Sequence, residues 1–541
     1  MSPLNPTHLE TTTTSGPRGS SGWVQIVSWI VSWIVSWILA VGLVVAQLAT
    51  ILASSKTAWF RGLCCSIGLF GSLAFVRYSI SRRQRHRALL PDLSRGPNSP
   101  EAPPADDHSW NWFALAAMML LLLVGLAKAP HRSNDVYAYG AYGRLVSEHS
   151  ISPYTTRPSA FPKDPVIARM EPGWRNTRSV YGPAFTAVSA LGMNVAGTSE
   201  LIERLWFQTL AAAATGFSAL LLQRMSPRHW WLFALNPVTL IVVAHEGHND
   251  ALVGLGILSA LWFAKRALKS PQKNTQLIHG AIGSLVFAAS IKITAILAFP
   301  AIAMWILGRL GWRRTARICS GWVLGCLSLF AATGGPSAFA AFRGLRTFRS
   351  TTSLWHLNAI RQLTDRTNGE PGVLALTLPA LLITATGFLV LCRCWSASRV
   401  PHLGQPLKRV QPVQEVQPVQ PAIRETLFDT RAYDCLMLVS MTLLLLVVFI
   451  TMGLYILPWY WGWLLAPAVL LPTTFRSAVM VAAAAHSLAY GAGTVVHGSF
   501  ATVLHIARLG TPLAFVVTVV IGLTAVLHRD RANNANPTVS G

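Results

Sequence analysis

Long apolar runs, separated by short polar and often basic breaks, set the pattern of this 541-residue chain. Runs of about 20 residues suffice to cross about 30 Å of hydrocarbon as α-helices. They do not alternate with a period of two, which argues against a closed membrane β-barrel. The pattern predicts an all-α polytopic membrane protein. The first run holds "SWIVSWIVSWI", Ser28 to Ile38, a four-residue repeat whose serines drift slowly round one side of a helix. A packing stripe of small residues and low-complexity membrane filler both fit it, and filler is the simpler expectation. The run is too long for a cleaved signal and lacks a cleavage site, so an uncleaved anchor is expected.

Basic breaks mark the cytoplasmic side and orient the runs. The second run, 59–77, empties into "RYSISRRQRHR", Arg77 to Arg87, which is expected inside. The third, 110–130, then opens into an external loop over 131–181. Residues 181–197 are apolar but short and read as interfacial or re-entrant; as a full span they would turn the later basic breaks outward. Spans over 201–223 and Trp230–Ala244 follow, leaving His245–Asp250 at the external surface. Another span returns to Lys265 and Arg266, two short ones flank Lys292, and one near 315–333 leads to a second external loop, 334–371. Its partner returns inside, and runs at 432–453, 459–474, 476–492 and 511–528 complete about 14 spans, with both termini cytoplasmic. The expected organisation is a disordered segment 1–22, accessory spans 23–109, a core 110–333, and a C-terminal part 334–541 containing a Pro-rich cytoplasmic linker, 396–431.

Composition agrees with a membrane class: 52% of residues are hydrophobic and 12% charged, against about 25% charged in soluble chains. The net charge of +24 sits mostly in the breaks. No helix-turn-helix, finger or aromatic RNA platform accompanies it, so no nucleic-acid partner is expected. The seven cysteines lie in or beside apolar runs and form no disulfide framework.

The external loops carry Arg132, Arg144, Arg157, Lys163, Arg169, Arg175 and Arg178, then Arg343, Arg346, Arg349, Arg361 and Arg366. Long loops translocate whatever their charge, but guanidinium groups gathered on one face also suit an anionic substrate. Ser133 or Asn134 can cap a helix with the apolar stripe Val136, Tyr139, Tyr142 and Leu145, expected to lie on the outer leaflet. Asp135 then falls in its first turn, where the helix dipole alone favours an acid.

Taken in order, Asn134-Asp135, the amphipathic helix, Pro153-Tyr154, "SVYGPAF" (Ser179–Phe185), "ALNPVTL" (Ala234–Leu240), "GHND" (Gly247–Asp250), "IKITAILAFP" (Ile291–Pro300) and "LPWYWGW" (Leu457–Trp463) resemble the GT-C superfamily of integral-membrane glycosyltransferases. In combination they are similar to bacterial polyprenyl-phosphate-mannose-dependent mannosyltransferases, close to glycosyltransferase family 87. The likeness covers residues 110–475. It implies a GT-C-like bundle with amphipathic juxtamembrane helices in its external loops. It also implies a lipid-phosphate sugar donor, a glycan, glycolipid or protein acceptor on the external face of a bacterial plasma membrane, and inversion at the anomeric carbon.

Phosphate leaves readily and needs charge stabilisation, so one carboxylate base suffices. Asp135 is the candidate. Asn134, Tyr137, Arg144 and Tyr154 are candidate substrate contacts beside it, and Lys292 is either a donor-phosphate ligand or a snorkelling lysine. Tyr181, Trp459 and Tyr460 belong either to the interfacial aromatic belt or to a sugar or prenyl groove. His356, in the second loop, reads as a solvated histidine. The stretch His245-Glu246-Gly247-His248 is not a metalloprotease box, whose histidines stand four apart on a helix. His248, Asn249 and Asp250 are expected to face Asp135 across the vestibule. A plain polar turn, or a divalent ion on His248 and Asp250, are the alternatives; no cofactor is otherwise expected. A transporter of polyprenyl-linked glycans and an inactive scaffold are the competing functions, but no half of the chain repeats the other and the polar groups gather at one face.

Overall fold

A computed structural model describes residues 20–89, 107–269, 274–338, 438–443, 445–446 and 456–492. The second external loop beyond residue 338, with His356 and its arginines, lies outside the described residues, as do the linker and the last span.

Among the described residues the regular structure is helical and no strand occurs. The described helices are α1 (Ser20–Ile51), α2 (Lys56–Leu89), α3 (Asp107–Ala127), α4 (Asp135–Ser147), α5 (Pro172–Arg175), α6 (Pro183–Ala196), α7 (Glu200–Met225), α8 (Trp231–Ala234), α9 (Asp250–Lys269), α10 (Asn274–Ile291), α11 (Phe299–Gly334), α12 (Gly462–Ala468) and α13 (Thr473–Ala492). Six stretches among them are long and apolar enough to cross a membrane: Ile30–Ile51, Lys56–Ser81, His108–Ala127, Glu200–Met225, Asp250–Leu268 and Leu310–Gly334. Gly311, at φ +70°, breaks α11 into two helices. At 14 residues α6 falls short of a span, as expected for 181–197.

The serines of the α1 repeat become more buried along the helix, Ser28 and Ser32 being half-buried and Ser36 buried. Ser36 is fully buried while Val31, Ile34 and Ile38 stay exposed on the other side. The Ser32 and Ser36 hydroxyls donate to the carbonyls of Ser28 and Trp33, which lets polar side chains face a membrane interior.

Two expected spans are not continuous helices. Trp230–Ala244 is cut at Asn236-Pro237 into α8 and a π-helical stretch, Val238–His245. Pro237 has no N–H to continue the ladder, and the Leu235 carbonyl accepts from Gln47 Nε2 of α1 at 2.9 Å. The stretch is buried throughout, so its apolar run faces protein and not lipid. The run at 459–474 is a 3₁₀ turn, Pro458–Trp461, followed by the short α12, again buried. Neither is long enough to span; both are inner walls.

The third departure is α4. Its apolar stripe does not lie on a leaflet: Val136, Tyr139, Tyr142 and Leu145 are buried, with α4 packed on α6 and α7. An apolar stripe is the same signal for lipid and for protein neighbours.

Candidate active site

Three segments distant in sequence meet at one end of α7: the start of α4, the turn 245–250 that opens α9, and the 458–463 segment. The exit of α3 is fixed first. Arg204 of α7 donates to the carbonyls of Leu126 and Lys128, and Gln208 to those of Lys128 and His245. These bonds satisfy carbonyls that the end of α3 leaves open. The next residues, His131, Arg132 and Ser133, point their amides at one carboxylate, that of the buried Glu246, at 3.1, 3.0 and 2.9 Å. Ser133 Oγ accepts from the Asp135 amide, while Asn134 sends its side chain to Glu171, so the serine serves the helix start.

The turn itself needs glycine at one point. Gly247 stands at φ +73°, and a Cβ there would come within 2.8 Å of Val136 Cγ1, beside Asp135. Gly254, one turn into α9, lies so close to the Gly462 carbonyl that a Cβ would collide with it. That approach brings Trp463 onto Asp250.

Asp135 keeps about a quarter of its side chain open (26%), and His248 Nδ1 lies 3.3 Å from its Oδ2. His248 is fully buried and stacks on Trp459 at 3.9 Å between centroids. Asp250, also fully buried, accepts at Oδ1 from Lys292 Nζ at 2.9 Å and from Trp463 Nε1 at 2.6 Å. Lys292 sits over the Tyr460 ring, 3.9 Å from its centroid, and Tyr460 stacks on Trp463. Among the described residues, Asp250 Oδ2, both ring nitrogens of His248 and both side-chain polar atoms of Asn249 are buried without a hydrogen-bond partner. Unmet buried groups cost about 1–3 kcal/mol each when no water reaches them, and here several lie together beside Asp135. Burial, reinforced by the carboxylates of Asp135 and Asp250, holds the Tyr139 and Tyr460 hydroxyls well above their ordinary range. Both hydroxyls are therefore neutral, and that of Tyr139 accepts the Asn249 amide.

Of the residues singled out in the sequence, Asp135, His248, Asn249, Asp250, Lys292, Trp459 and Tyr460 come together. Lys292 neither snorkels nor stands alone; its ammonium is paired with Asp250 Oδ1. Trp459 and Tyr460 are buried walls and not an interfacial belt. Tyr181 is half-buried and packs edge-on against Tyr139 and Phe185. The others point elsewhere. Tyr137 donates to Glu200, and burial with that bond pushes its hydroxyl up to about 12. Tyr154 donates to the Tyr181 carbonyl. Arg144 binds Asp164 and Glu148, and Arg169 binds Glu203. Those two arginines of the loop thus tie it together, which uses charge that the anion reading had counted as free. Glu246, Tyr139 and Trp463 also touch the cluster, and none of them is a candidate from the sequence. The one available signal was Glu246 lying between two histidines in a polar turn.

A family model described as "Alpha-(1->6)-mannopyranosyltransferase, N-terminal domain" matches residues 18–308. Alpha-(1->6)-mannopyranosyltransferase A of Corynebacterium glutamicum is 27% identical over 203 residues, which is 36% of this chain and 38% of that protein. The protein of the same name in Mycobacterium tuberculosis is 29% identical over 198 residues, 35% of this chain and 36% of that one. The matched part thus spans little more than a third of either relative. No solved structure matches the chain. Residues 18–308 carry α1 to the first half of α11, including the convergence of Asp135, His248, Asp250 and Lys292, and with more than half of its length matched the chain belongs to the alpha-(1->6)-mannopyranosyltransferase family.

Proposed function

We propose that this protein transfers mannose from a polyprenyl-phosphate donor to a glycan or glycolipid acceptor in α-(1→6) linkage, on the external face of a bacterial plasma membrane, with both termini cytoplasmic. The linkage is read from the names of the two relatives. The observation that carries the reading is Asp135, a partly open carboxylate at the mouth of an otherwise buried polar cluster. It takes the proton of the acceptor hydroxyl as that oxygen attacks the anomeric carbon. The bond from that carbon to the phosphate oxygen breaks on the opposite side, so the configuration inverts. Lys292, held by Asp250 and Tyr460, supplies positive charge to the departing phosphate. Asn249, His248 and Asp250 offer the unmet polar atoms that sugar hydroxyls require.

The lipid part of the donor has a matching feature. A groove of about 550 Å³, lined by Leu255, Gly256, Gly280, Gly283, Phe287 and Trp322, runs between α9, α10 and α11. Leu255 lies five residues past Asp250 and Phe287 five before Lys292. At 1.5 Å per residue these two lining residues lie about 7–8 Å along the helix axes from the levels of Asp250 and Lys292. An isoprenoid chain in the groove would leave its phosphate near Lys292.

The test is to supply purified protein with polyprenyl-phosphate-mannose and an α-mannoside acceptor, and to follow release of polyprenyl phosphate. Turnover that drops by about 10²–10⁴-fold in Asp135→Asn is expected for loss of a general base. No turnover with this donor, or an unimpaired D135N protein, would sink the reading.

A further inference from the structure

Three arginines of the loop between α4 and α6 are matched within the protein. Arg144 and Arg169 face carboxylates, and Arg175 donates to the carbonyls of Ala168 and Met170. Arg157 and Lys163 are exposed, so water hydrates them. Arg178 has neither kind of partner. It is half-buried, and its Nε is out of solvent without an acceptor. Among the described residues its side chain makes no hydrogen bond or ion pair. A guanidinium drawn partly out of water in this way favours an anion beside it.

The backbone fixes where Arg178 stands. The Tyr142 hydroxyl of α4 donates to the Thr177 carbonyl at 3.0 Å, and the Ser179 amide donates to that of Pro153 at 2.9 Å. Four residues on, the Gly182 amide donates to the Ile291 carbonyl at 2.8 Å, and a Cβ on Gly182 would collide with the Ser290 carbonyl. The segment 178–182 therefore ends against the backbone next to Lys292, after at most about 14 Å of chain. Between the two, the Tyr181 ring lies 5.0 Å from that of Tyr139, whose hydroxyl meets the Asn249 amide. Arg178 is thus tied on one side to the helix of Asp135 and on the other to Lys292.

We infer that Arg178 is a second cation for the donor phosphate, acting with Lys292. The inference rests on the proposed transferase reading. The donor is a phosphate diester with one negative charge, and the departing monoester carries about −1.5 to −2 at neutral pH. The bond from the anomeric carbon breaks with its electron pair on the phosphate oxygen. The acceptor oxygen forms the new bond and its proton goes to Asp135. About one further negative charge therefore develops on the phosphate as it leaves. Lys292 meets that charge in competition with Asp250, 2.9 Å from its Nζ. Arg178 has no such competitor, and its planar fork matches two phosphate oxygens at once.

The test compares binding of polyprenyl phosphate with binding of the matching polyprenol, which lacks the phosphate, in the full-length protein and in Arg178→Gln. The variant should bind polyprenyl phosphate about 10–100-fold more weakly and polyprenol equally well. Its kcat for mannosyl transfer should fall about 10²–10³-fold. Its melting temperature should stay unchanged, because the side chain holds nothing in the fold. Arg178→Lys, which keeps the charge and loses the fork, should fall between. An R178Q protein with undiminished phosphate affinity and kcat would overturn the inference while leaving the transferase reading intact. So would one that melts early or loses polyprenol and polyprenyl phosphate alike, since Arg178 would then be serving the fold or the lipid groove. Phosphate binding that depends on Arg178, in a protein that transfers no mannose, would keep the phosphate site and sink the transferase reading.

Discussion

The Glu246 carboxylate accepts the Ser133 amide at 2.9 Å across 113 residues of sequence. The same group takes the amides of His131 and Arg132, so three successive N–H donors converge on one buried anion. It therefore joins the approach to Asp135 rigidly to the turn that bears His248 and Asp250. Glu246→Ala would orphan three donors, at about 1–3 kcal/mol for each that water cannot reach. We expect a destabilisation of about 2–4 kcal/mol, and a turnover loss of about 10–100-fold because Asp135 is no longer held in line. Glu246→Gln, which keeps an acceptor oxygen, should fall between. A thermal melt paired with the transfer assay checks this; an E246A protein equal to its parent in both would mean that the cradle positions nothing.

The Lys292–Asp250 pair is buried, and a buried pair behaves asymmetrically. Removing one partner strands the other, costing about 3–5 kcal/mol, whereas replacing both with neutral groups can be nearly free. Lys292→Met should therefore destabilise strongly, and adding Asp250→Asn should restore most of the loss. Transfer activity should not return with stability, because the double variant still lacks the positive charge that the proposed mechanism directs at the phosphate. Melting curves and turnover of the two single variants and the double one decide it. Full activity in the double variant would show that the pair serves folding alone.

How much of this was legible in the sequence depends on the range of each signal. Asp135 and the polar turn could be read locally, as a first-turn acid after a span and as a polar break between apolar runs. Pro237 likewise announced a break, although the expected span ran straight through it. Glu246 could not be read, because its partners are backbone amides more than a hundred residues away and amides carry no side-chain signature. Trp459, Tyr460 and the tyrosines of α4 were mislocated for a different reason. Lipid and protein interior are equally apolar, so an aromatic stripe does not say which it faces. The cations of the first loop misled for want of partners: charge is visible in sequence, but Asp164 and Glu203, which occupy Arg144 and Arg169, are recognisable as partners only in space.

Asp164 organises the loop after α4 and gives it a defined acid sensitivity. Burial alone would push its carboxyl up. The amide of Val166 with the Arg144 and His149 side chains outweighs that and draws it below its ordinary 3.8. A depressed carboxylate contributes stability that is present above the ordinary value and disappears as pH falls through the lowered one. The loop should therefore hold its order down to about pH 4 and open below it. Hydrogen exchange of the 158–170 segment reports this directly. In Asp164→Asn the segment should exchange faster already at pH 7 and show no further acid step. A segment that opens in the parent between pH 5 and 7 would assign the transition to another group.

The orientation has a test with two arms drawn from the fold. Tyr137 of α4 donates to Glu200 in the first turn of α7 at 2.8 Å, so Asn134 lies at that end of the helix. Arg228 follows the other end, after 26 helical residues. At 1.5 Å per residue the two ends are about 39 Å apart, enough to set them on opposite sides of a bilayer. Asn134 and Arg228 are both exposed, so single cysteines at those positions are open to reagent once all seven native cysteines are replaced. In intact cells a membrane-impermeant maleimide should label Asn134→Cys and spare Arg228→Cys until the membrane is opened. The reverse pattern would put the Asp135 cluster inside the cell, where the proposed external transfer has no acceptor. Labelling of both positions in sealed cells would mean that α7 does not cross the membrane at all.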